Sequence, residues 1–333
     1  MAWGVMMALA VSALIYLGGA LGLIVSQHPE PAPSRSEMDF AGLVAGRFSP
    51  PQGDARFRRD FYTAPDGTEL PMTVVQGQAE GEGLPVVVMI HGSGWHGQQF
   101  DRLAWSLRDV AELRAVTLRG HGADPVRRGD VEYIGQLEDD LASAIGDVAP
   151  ERKVVMLGHS SGGGLAVRFA GGRHDGMIDA AILLAPFLKH DAPTTRENAG
   201  GWARPLTRRI IGLSMLNMVG IHALDHLAVI QFAMPEAVLD GPLGHTATTA
   251  YSWRLNLSYA PRRDYKADIA ALPPFVLIAG ADDESFHADR YDPLMSGVTD
   301  KGRYHVLPGV GHLGVVDAPQ TETLIREFLG ALR

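Results

Sequence analysis

Residues 154–162 read Val154-Val155-Met156-Leu157-Gly158-His159-Ser160-Ser161-Gly162. The first four are apolar and two of them β-branched, which suits a buried strand. The residues that follow, Gly163 to Ala170, carry helical spacing. Between the two stands Gly-x-Ser-x-Gly. A strand that turns through this pattern into a helix is a nucleophile elbow: the sharp turn strains the serine and holds its hydroxyl out at the edge of the sheet. Gly158 and Gly162 have a steric reason to be there, because a Cβ at either position would collide where strand and helix meet. In a chain with 39 glycines the bare pattern carries little weight; its place between strand and helix makes Ser160 the candidate nucleophile.

A serine hydroxyl is a poor nucleophile at neutral pH, so it needs a base to take its proton and an acid to orient that base. In this architecture both follow the serine, at the ends of later strands. The apolar run Phe275 to Ala279 leads into Gly280-Ala281-Asp282-Asp283-Glu284, and Val306-Leu307 leads into Pro308-Gly309-Val310-Gly311-His312. His312 is the candidate base, and Asp282, Asp283 and Glu284 compete to be the acid. Upstream, the strand Leu84 to Ile90 ends in His91-Gly92-Ser93-Gly94, where a loop would supply an oxyanion donor. The backbone N–H groups of Ser93 and Ser161 form the expected pair. His91 reads as a brace for that loop, and Trp95 and His96 as candidates for the pocket mouth.

Further outward, short apolar runs alternate with amphipathic stretches, the signature of a mostly parallel, doubly wound sheet covered by helices. Phe57 to Tyr62 and Leu70 to Gln76, separated by Pro65-Asp66-Gly67, predict an antiparallel hairpin. Strands are predicted at Leu84 to Ile90, Ala115 to Leu118, Lys153 to Leu157, Ala180 to Leu184, Phe275 to Ala279 and Arg303 to Leu307. Helices are predicted at Gln98 to Leu113, Val131 to Val148, Gly163 to Ala170 and Gln320 to Leu332. The interval 186–270 is far longer than an ordinary connection and predicts an inserted helical cap between the two parts of the core, 55–185 and 271–333. Its centre is unusually apolar, through Ile210 to Ile221 and Leu227 to Met234. Two readings follow, a cap packed on the core or a lipid-facing wall. Arg208 and Arg209 fit either a solvated helix end or a site for lipid phosphates.

The first 25 residues are different in kind. From Ala2 to Val25 there is no charged side chain, and 24 residues at about 1.5 Å each reach roughly 36 Å, enough for a hydrocarbon core of about 30 Å. A transmembrane anchor is expected. A cleaved signal, for which Ala20-Leu21-Gly22 offers a small-residue site, and a buried soluble helix are the alternatives. Flanking cations are sparse, with Arg35 and Arg47 after the segment, and the expectation leans to an exported catalytic part. Residues 26–54, with Pro31, Pro33, Pro50 and Pro51, read as a linker.

Composition narrows the function. With 46% hydrophobic and 20% charged residues the chain can bury a sizeable core and is not disordered. Lysine plus arginine (29) against aspartate plus glutamate (38) leaves a charge of −9, which disfavours nucleic acid as a partner. The absence of cysteine excludes disulfides and cysteine-ligated zinc. There is no phosphate-binding loop, dinucleotide fingerprint or metal-ligand spacing, so no cofactor and no metal is expected.

These motifs resemble the α/β-hydrolase fold family, in the branch of monoacylglycerol lipases, lysophospholipases and serine aminopeptidase-like enzymes, over roughly residues 55 to 333. The family's His-Gly-x loop matches His91 to Ser93, its Gly-His-Ser-x-Gly elbow matches Gly158 to Gly162, and its Gly-His near the C-terminus matches Gly311-His312. Its acid usually stands three residues after the glycine ending the next-to-last strand, which selects Asp283. An Asp-x-Arg-Gly-x-Gly loop appears as Thr117-Leu118-Arg119-Gly120-His121-Gly122, with Thr117 in the place of the usual aspartate. The resemblance implies acyl transfer to water through an acyl-enzyme, on a small-molecule or lipid ester such as a monoglyceride or lysophospholipid. Two rivals remain. A proline-iminopeptidase-like enzyme would need cap acids to hold a free amine, with Glu197, Asp225, Glu236 and Asp240 as candidates. A silent binding protein on the same fold would have no need of all three triad residues.

Overall fold

The computed structural model describes residues 2–30, 38–40, 48, 54–77, 83–148 and 150–332. Its centre is an eight-stranded sheet in the order β1-β2-β4-β3-β5-β6-β10-β11. The strands are β1 (Phe57–Thr63), β2 (Glu69–Val75), β3 (Val86–Ile90), β4 (Glu112–Val116), β5 (Val154–His159), β6 (Ala180–Leu184), β10 (Phe275–Gly280) and β11 (Gly302–Leu307). β1 and β2 form the antiparallel hairpin, β2 pairs antiparallel with β4, and from β4 to β11 every pairing is parallel. Every residue of β3, β5, β6 and β10 is buried. Strands covered on both faces are built from unbroken apolar runs, and that made them readable.

Helix α1 is Ala2–Val25; α2 (Asp101–Ser106), α3 (Gln136–Ile145) and α4 (Ser161–Ala170) follow within the first part of the core, and α8 (Pro319–Gly330) closes the chain. The expected helix at 98–113 is shorter than its apolar spacing suggested. A 3-10 turn at Gly97–Phe100 leads into α2, and β4 begins at Glu112, so backbone pairing with β3 claims the end of that stretch. The chain leaves β3 to one side to make β4 and returns across it to make β5. β3 and β5 are therefore neighbours at a topological switch point, where a crevice opens beyond the strand ends.

The inserted interval is not all helix. It holds α5 (Thr207–Met218), α6 (Trp253–Tyr259) and α7 (Tyr265–Ala271), together with a three-stranded antiparallel sheet of β7 (Ala203–Pro205), β8 (Ala228–Phe232) and β9 (Ala250–Ser252). The run Leu227 to Met234, expected as helix, contains β8. Its β-branched Val229 and Ile230 suit a strand, and two partner strands take up its backbone groups. α1 is long and apolar enough to cross a membrane, and most of it is exposed. Two described residues of the expected linker, Met38 and Phe40, are buried, and Glu30, itself exposed, pairs with Arg204 at 2.6 Å. Most of that linker lies outside the described residues. Met38 and Phe40 supplied apolar area that outweighed the proline-rich composition around them.

Candidate active site

The elbow between β5 and α4 is strained as the motif demands. Ser160 has φ 54°, a left-handed value rare for a residue with a side chain. Its N–H donates to the Leu184 carbonyl at 2.9 Å, and its own carbonyl accepts from Gly164 and Phe187, so tertiary hydrogen bonds hold the turn. A Cβ on Gly158 would stand 2.3 Å from the Gly162 carbonyl oxygen, and one on Gly162 would stand 2.2 Å from that of Ile90. Both glycines are there for close approach.

The structure brings together three side chains that are far apart in sequence. His312 Nε2 lies 3.0 Å from Ser160 Oγ, and His312 Nδ1 lies 2.8 Å from Asp283 Oδ2. A carboxylate only accepts, so Nδ1 carries the hydrogen and Nε2 presents its lone pair to the serine hydroxyl. The other oxygen of Asp283 accepts the N–H groups of Ser285 (2.8 Å) and Phe286 (2.7 Å). Burial alone would raise this carboxyl, but the His312 imidazole and the two amides outweigh it and hold the group below the usual carboxylate value. Asp282 is exposed. Glu284 serves as a brace, since its carboxylate accepts the His312 N–H at 2.7 Å and the Asp39 N–H at 3.2 Å and so fixes the backbone on which the imidazole hangs.

The loop after β3 is tied at nearly every polar group. Gly92 N–H donates to Gln99 Oε1 at 3.3 Å, and His91 Nδ1 donates to the Gly92 carbonyl at 2.8 Å. Trp202 Nε1 donates to Ser93 Oγ at 3.0 Å, Gly94 N–H to the Tyr251 hydroxyl at 2.7 Å, and Thr248 N–H to the Gly94 carbonyl at 3.0 Å. Ser93 N–H has no acceptor among the described residues. Nor has Ser161 N–H, which opens α4 and, like the first amides of any helix, has no partner within it. Among the described residues, the amide of Ser93, in the cleft lining, and that of Ser161, next to Ser160 in the chain, are thus both without an acceptor.

Around them, buried histidines act as neutral struts. His91 Nε2 accepts the Leu118 N–H at 3.1 Å, and burial pushes this imidazole well below its ordinary value. His121 takes a hydrogen from Tyr251 at 2.7 Å and is pushed down to about 4, again mainly by burial. His159 falls to about 3, through burial first and the neighbouring His312 second. Thr117, in place of the usual aspartate, accepts the Gly97 N–H at 3.1 Å and still anchors the loop.

The cleft has a cavity volume of about 220 Å³, and its apolar lining includes Phe40, Trp95, Trp202, Met234, Leu243 and Leu313. His96 stacks on Trp95, with ring centroids 4.9 Å apart. Glu197, Asp225, Glu236 and Asp240 are not among the residues lining the cleft; among the described residues the acids that do line it are Asp39, Asp101 and Asp317. Asp101 is paired with Arg59 at 2.6 Å. The roles of Glu284, Gln99 and Phe40 were missed from sequence. Only Glu284 left a signal, as one of the three adjacent carboxylates weighed for the acid rather than as a brace.

Sheet order, elbow and cleft define an α/β-hydrolase. The chain belongs to that family: the family described as serine aminopeptidase, S33, matches residues 82–318. No curated protein matches the sequence. Among solved structures, an esterase from Thermogutta terrifontis is 20% identical, with 83% of this chain and 99% of that chain covered and a TM-score of 0.54. A bacterial membrane phospholipase A is 18% identical, with 100% and 98% covered and a TM-score of 0.58. A monoacylglycerol lipase from Paleococcus ferrophilus is 19% identical, with 79% and 99% covered and a TM-score of 0.56. At these identities the likeness is one of fold.

Proposed function

We propose that this hydrolase is a serine esterase that cleaves carboxylic esters of acyl lipids, such as monoglycerides or lysophospholipids, through an acyl-enzyme on Ser160. One observation carries the reading: the unbroken hydrogen-bond chain Ser160–His312–Asp283. His312 Nε2 takes the Ser160 proton as Oγ attacks the ester carbonyl, and Asp283 stabilises the imidazolium that forms. The N–H groups of Ser93 and Ser161 receive the oxyanion. Collapse breaks the ester C–O bond, and His312 returns its proton to the leaving alcohol. Water, deprotonated by the same imidazole, then attacks the acyl-serine; the bond from the acyl carbon to Oγ breaks, the acid leaves and His312 returns the proton to Ser160.

The apolar cleft wall supports an acyl chain as the group that binds there. α1 supports anchoring at a membrane, where such esters are found. The names of two fold relatives, a monoacylglycerol lipase and a membrane phospholipase A, point the same way. The family's description favours a second reading, an aminopeptidase. Against it, the cap acids expected to hold a free amine are not among the cleft-lining residues.

A fluorophosphonate is expected to label the protein and to fail with Ser160→Ala or His312→Ala; no labelling of folded wild-type protein would return it to the class of silent binders. p-Nitrophenyl esters of increasing chain length are expected to turn over, with aminoacyl amides inert. The reverse preference would establish the peptidase.

A further inference from the structure

α1 and α5 lie side by side and run in opposite directions. The buried or half-buried residues in the second half of α1 and just beyond it are Tyr16, Leu17, Ala20, Leu23, Ile24 and Gln27, one helical stripe. Gln27 Oε1 accepts the Arg208 N–H at 2.8 Å. Gly212 sits so close that a Cβ on it would stand 2.5 Å from the Ala20 carbonyl oxygen. The Tyr16 hydroxyl donates to the Met215 carbonyl at 2.9 Å. As the chain is followed back from Gln27 to Tyr16, α5 advances from Arg208 to Met215.

The two ends of this pair differ. Where α1 finishes, the groups are polar: Glu30 with Arg204 at 2.6 Å, the Glu30 N–H on Gln231 at 3.2 Å, and Arg208 exposed. Where α5 finishes, they are apolar. No Asp, Glu, Lys or Arg occurs from Ile210 to Leu224, yet Met218 is 82% exposed, Val219 54% and Ile221 37%. Three amides of this turn are paired, Val219 and Ile221 donating to the Leu216 carbonyl and Gly220 to that of Asn217. Asn217 donates to Asp225 at 2.6 Å, and His222 Nδ1 lies 3.1 Å from the same buried carboxylate. An exposed apolar tip without an acidic or basic side chain suits the acyl layer just below the headgroups better than open water.

Geometry supplies the occupant. Residues 2–15 of α1 are exposed throughout and extend about 21 Å, short of a hydrocarbon core of about 30 Å. A bilayer crossed by α1 therefore reaches the level at which α5 lies against it. We infer that α5 descends beside α1 from the polar belt into the acyl layer, its lowest point at Met218–Ile221 about 15 Å from Arg208, so that the partner of this exposed surface is the hydrocarbon of a lipid bilayer. This rests on the membrane anchoring proposed above and deepens it. Trp202, in the cleft wall, precedes α5 by five residues and is joined to it through β7. The cleft is thereby tied to the belt where ester headgroups lie.

The chain has no cysteine, so single substitutions give unique attachment points for an environment-sensitive fluorophore. Full-length Leu9→Cys, Val219→Cys and Phe61→Cys proteins, labelled and reconstituted in phosphatidylcholine vesicles, are compared with nitroxides placed mid-chain or at the headgroup. Phe61 is an exposed β1 residue far along the chain from both helices. The labels at 9 and 219 are expected to be quenched more by the mid-chain nitroxide, and the label at 61 by neither. Quenching at 9 without quenching at 219 overturns the inference. A label at 219 that is shielded from aqueous iodide but insensitive to either lipid nitroxide places a second copy on the tip and also overturns it. No quenching at 9 removes the anchor, and the inference with it. Fluorophosphonate labelling of Ser160 does not depend on these readings, so the esterase proposal stands or falls separately. As a further arm, Val219→Asp is expected to lower hydrolysis of vesicle lipid about tenfold and leave a soluble short-chain ester unaffected; equal rates on vesicles overturn the inference.

Discussion

His159 donates from Nε2 to the His312 carbonyl at 3.0 Å, while its Nδ1 accepts from the Gln99 amide at 3.0 Å. The other end of that amide takes the Gly92 N–H. One neutral imidazole thus ties the loop of the proposed base to the loop that presents Ser93. Gln99→Leu removes two of the bridge's three hydrogen bonds and is expected to lower kcat by about tenfold to a hundredfold with KM little changed, because small misplacements act mainly on the chemical step. Steady-state kinetics on a soluble ester test this. A change confined to KM would mean that Gln99 only contacts substrate.

The carboxylates at 282, 283 and 284 separate cleanly by environment. Asp283→Asn offers the imidazole an amide and favours the wrong tautomer, for which a loss of about 10⁴ in kcat is expected. Glu284→Gln keeps the shape of the brace and is expected to cost about tenfold or less, through weaker hold on the His312 amide. Asp282→Asn should leave kcat unchanged. Parallel assays of the three variants rank them.

Gly162→Ala puts a methyl group 2.2 Å from the Ile90 carbonyl oxygen and 2.5 Å from that of His91. Neither is the end of a flexible side chain, so strand and helix have to part. A loss of about 3 kcal/mol in urea unfolding is expected, together with loss of fluorophosphonate labelling. Gly67→Ala, where no atom lies within 4 Å but φ is 82°, measures the conformational cost alone.

Acid should unfold this protein by a definite route. The folded state holds His159 near pKa 3 and His121 near 4, against 6.5 for the free side chain, with His91 also pushed down. Between those values the unfolded chain binds more protons than the folded one, so stability is full above about pH 6.5 and falls as pH drops toward 4 and then 3. Urea midpoints measured from pH 7.5 to 4.5 are expected to decline over this range. A flat profile would show that the three imidazoles are not neutral struts.

What the sequence disclosed followed physical lines. β3, β5, β6 and β10 were legible because strands buried on both faces leave continuous apolar runs, and the elbow because Gly158, Ser160 and Gly162 answer to local sterics. The approach of His312 to Ser160 was legible from strand order. The brace supplied by Glu284 was not, since it depends on Asp39 and the His312 amide meeting in space. β8 was misread because Val229 and Ile230 suit both a buried helix and a strand until partners are known. Met38 and Phe40 were masked by the prolines around them, which describe a chain's stiffness and not where it comes to rest.

Trp202, Thr248 and Tyr251 all belong to the inserted region, yet all three hold the Ser93 loop. A lid hinged away from the sheet would have to let go of that loop, and with it the amide proposed to meet the developing charge. Opening and readiness to react are mutually exclusive in such an arrangement. If the proposed chemistry holds, the roof is therefore part of the reacting apparatus and not a detachable cover, and a change in any of its three ties reaches the serine loop directly.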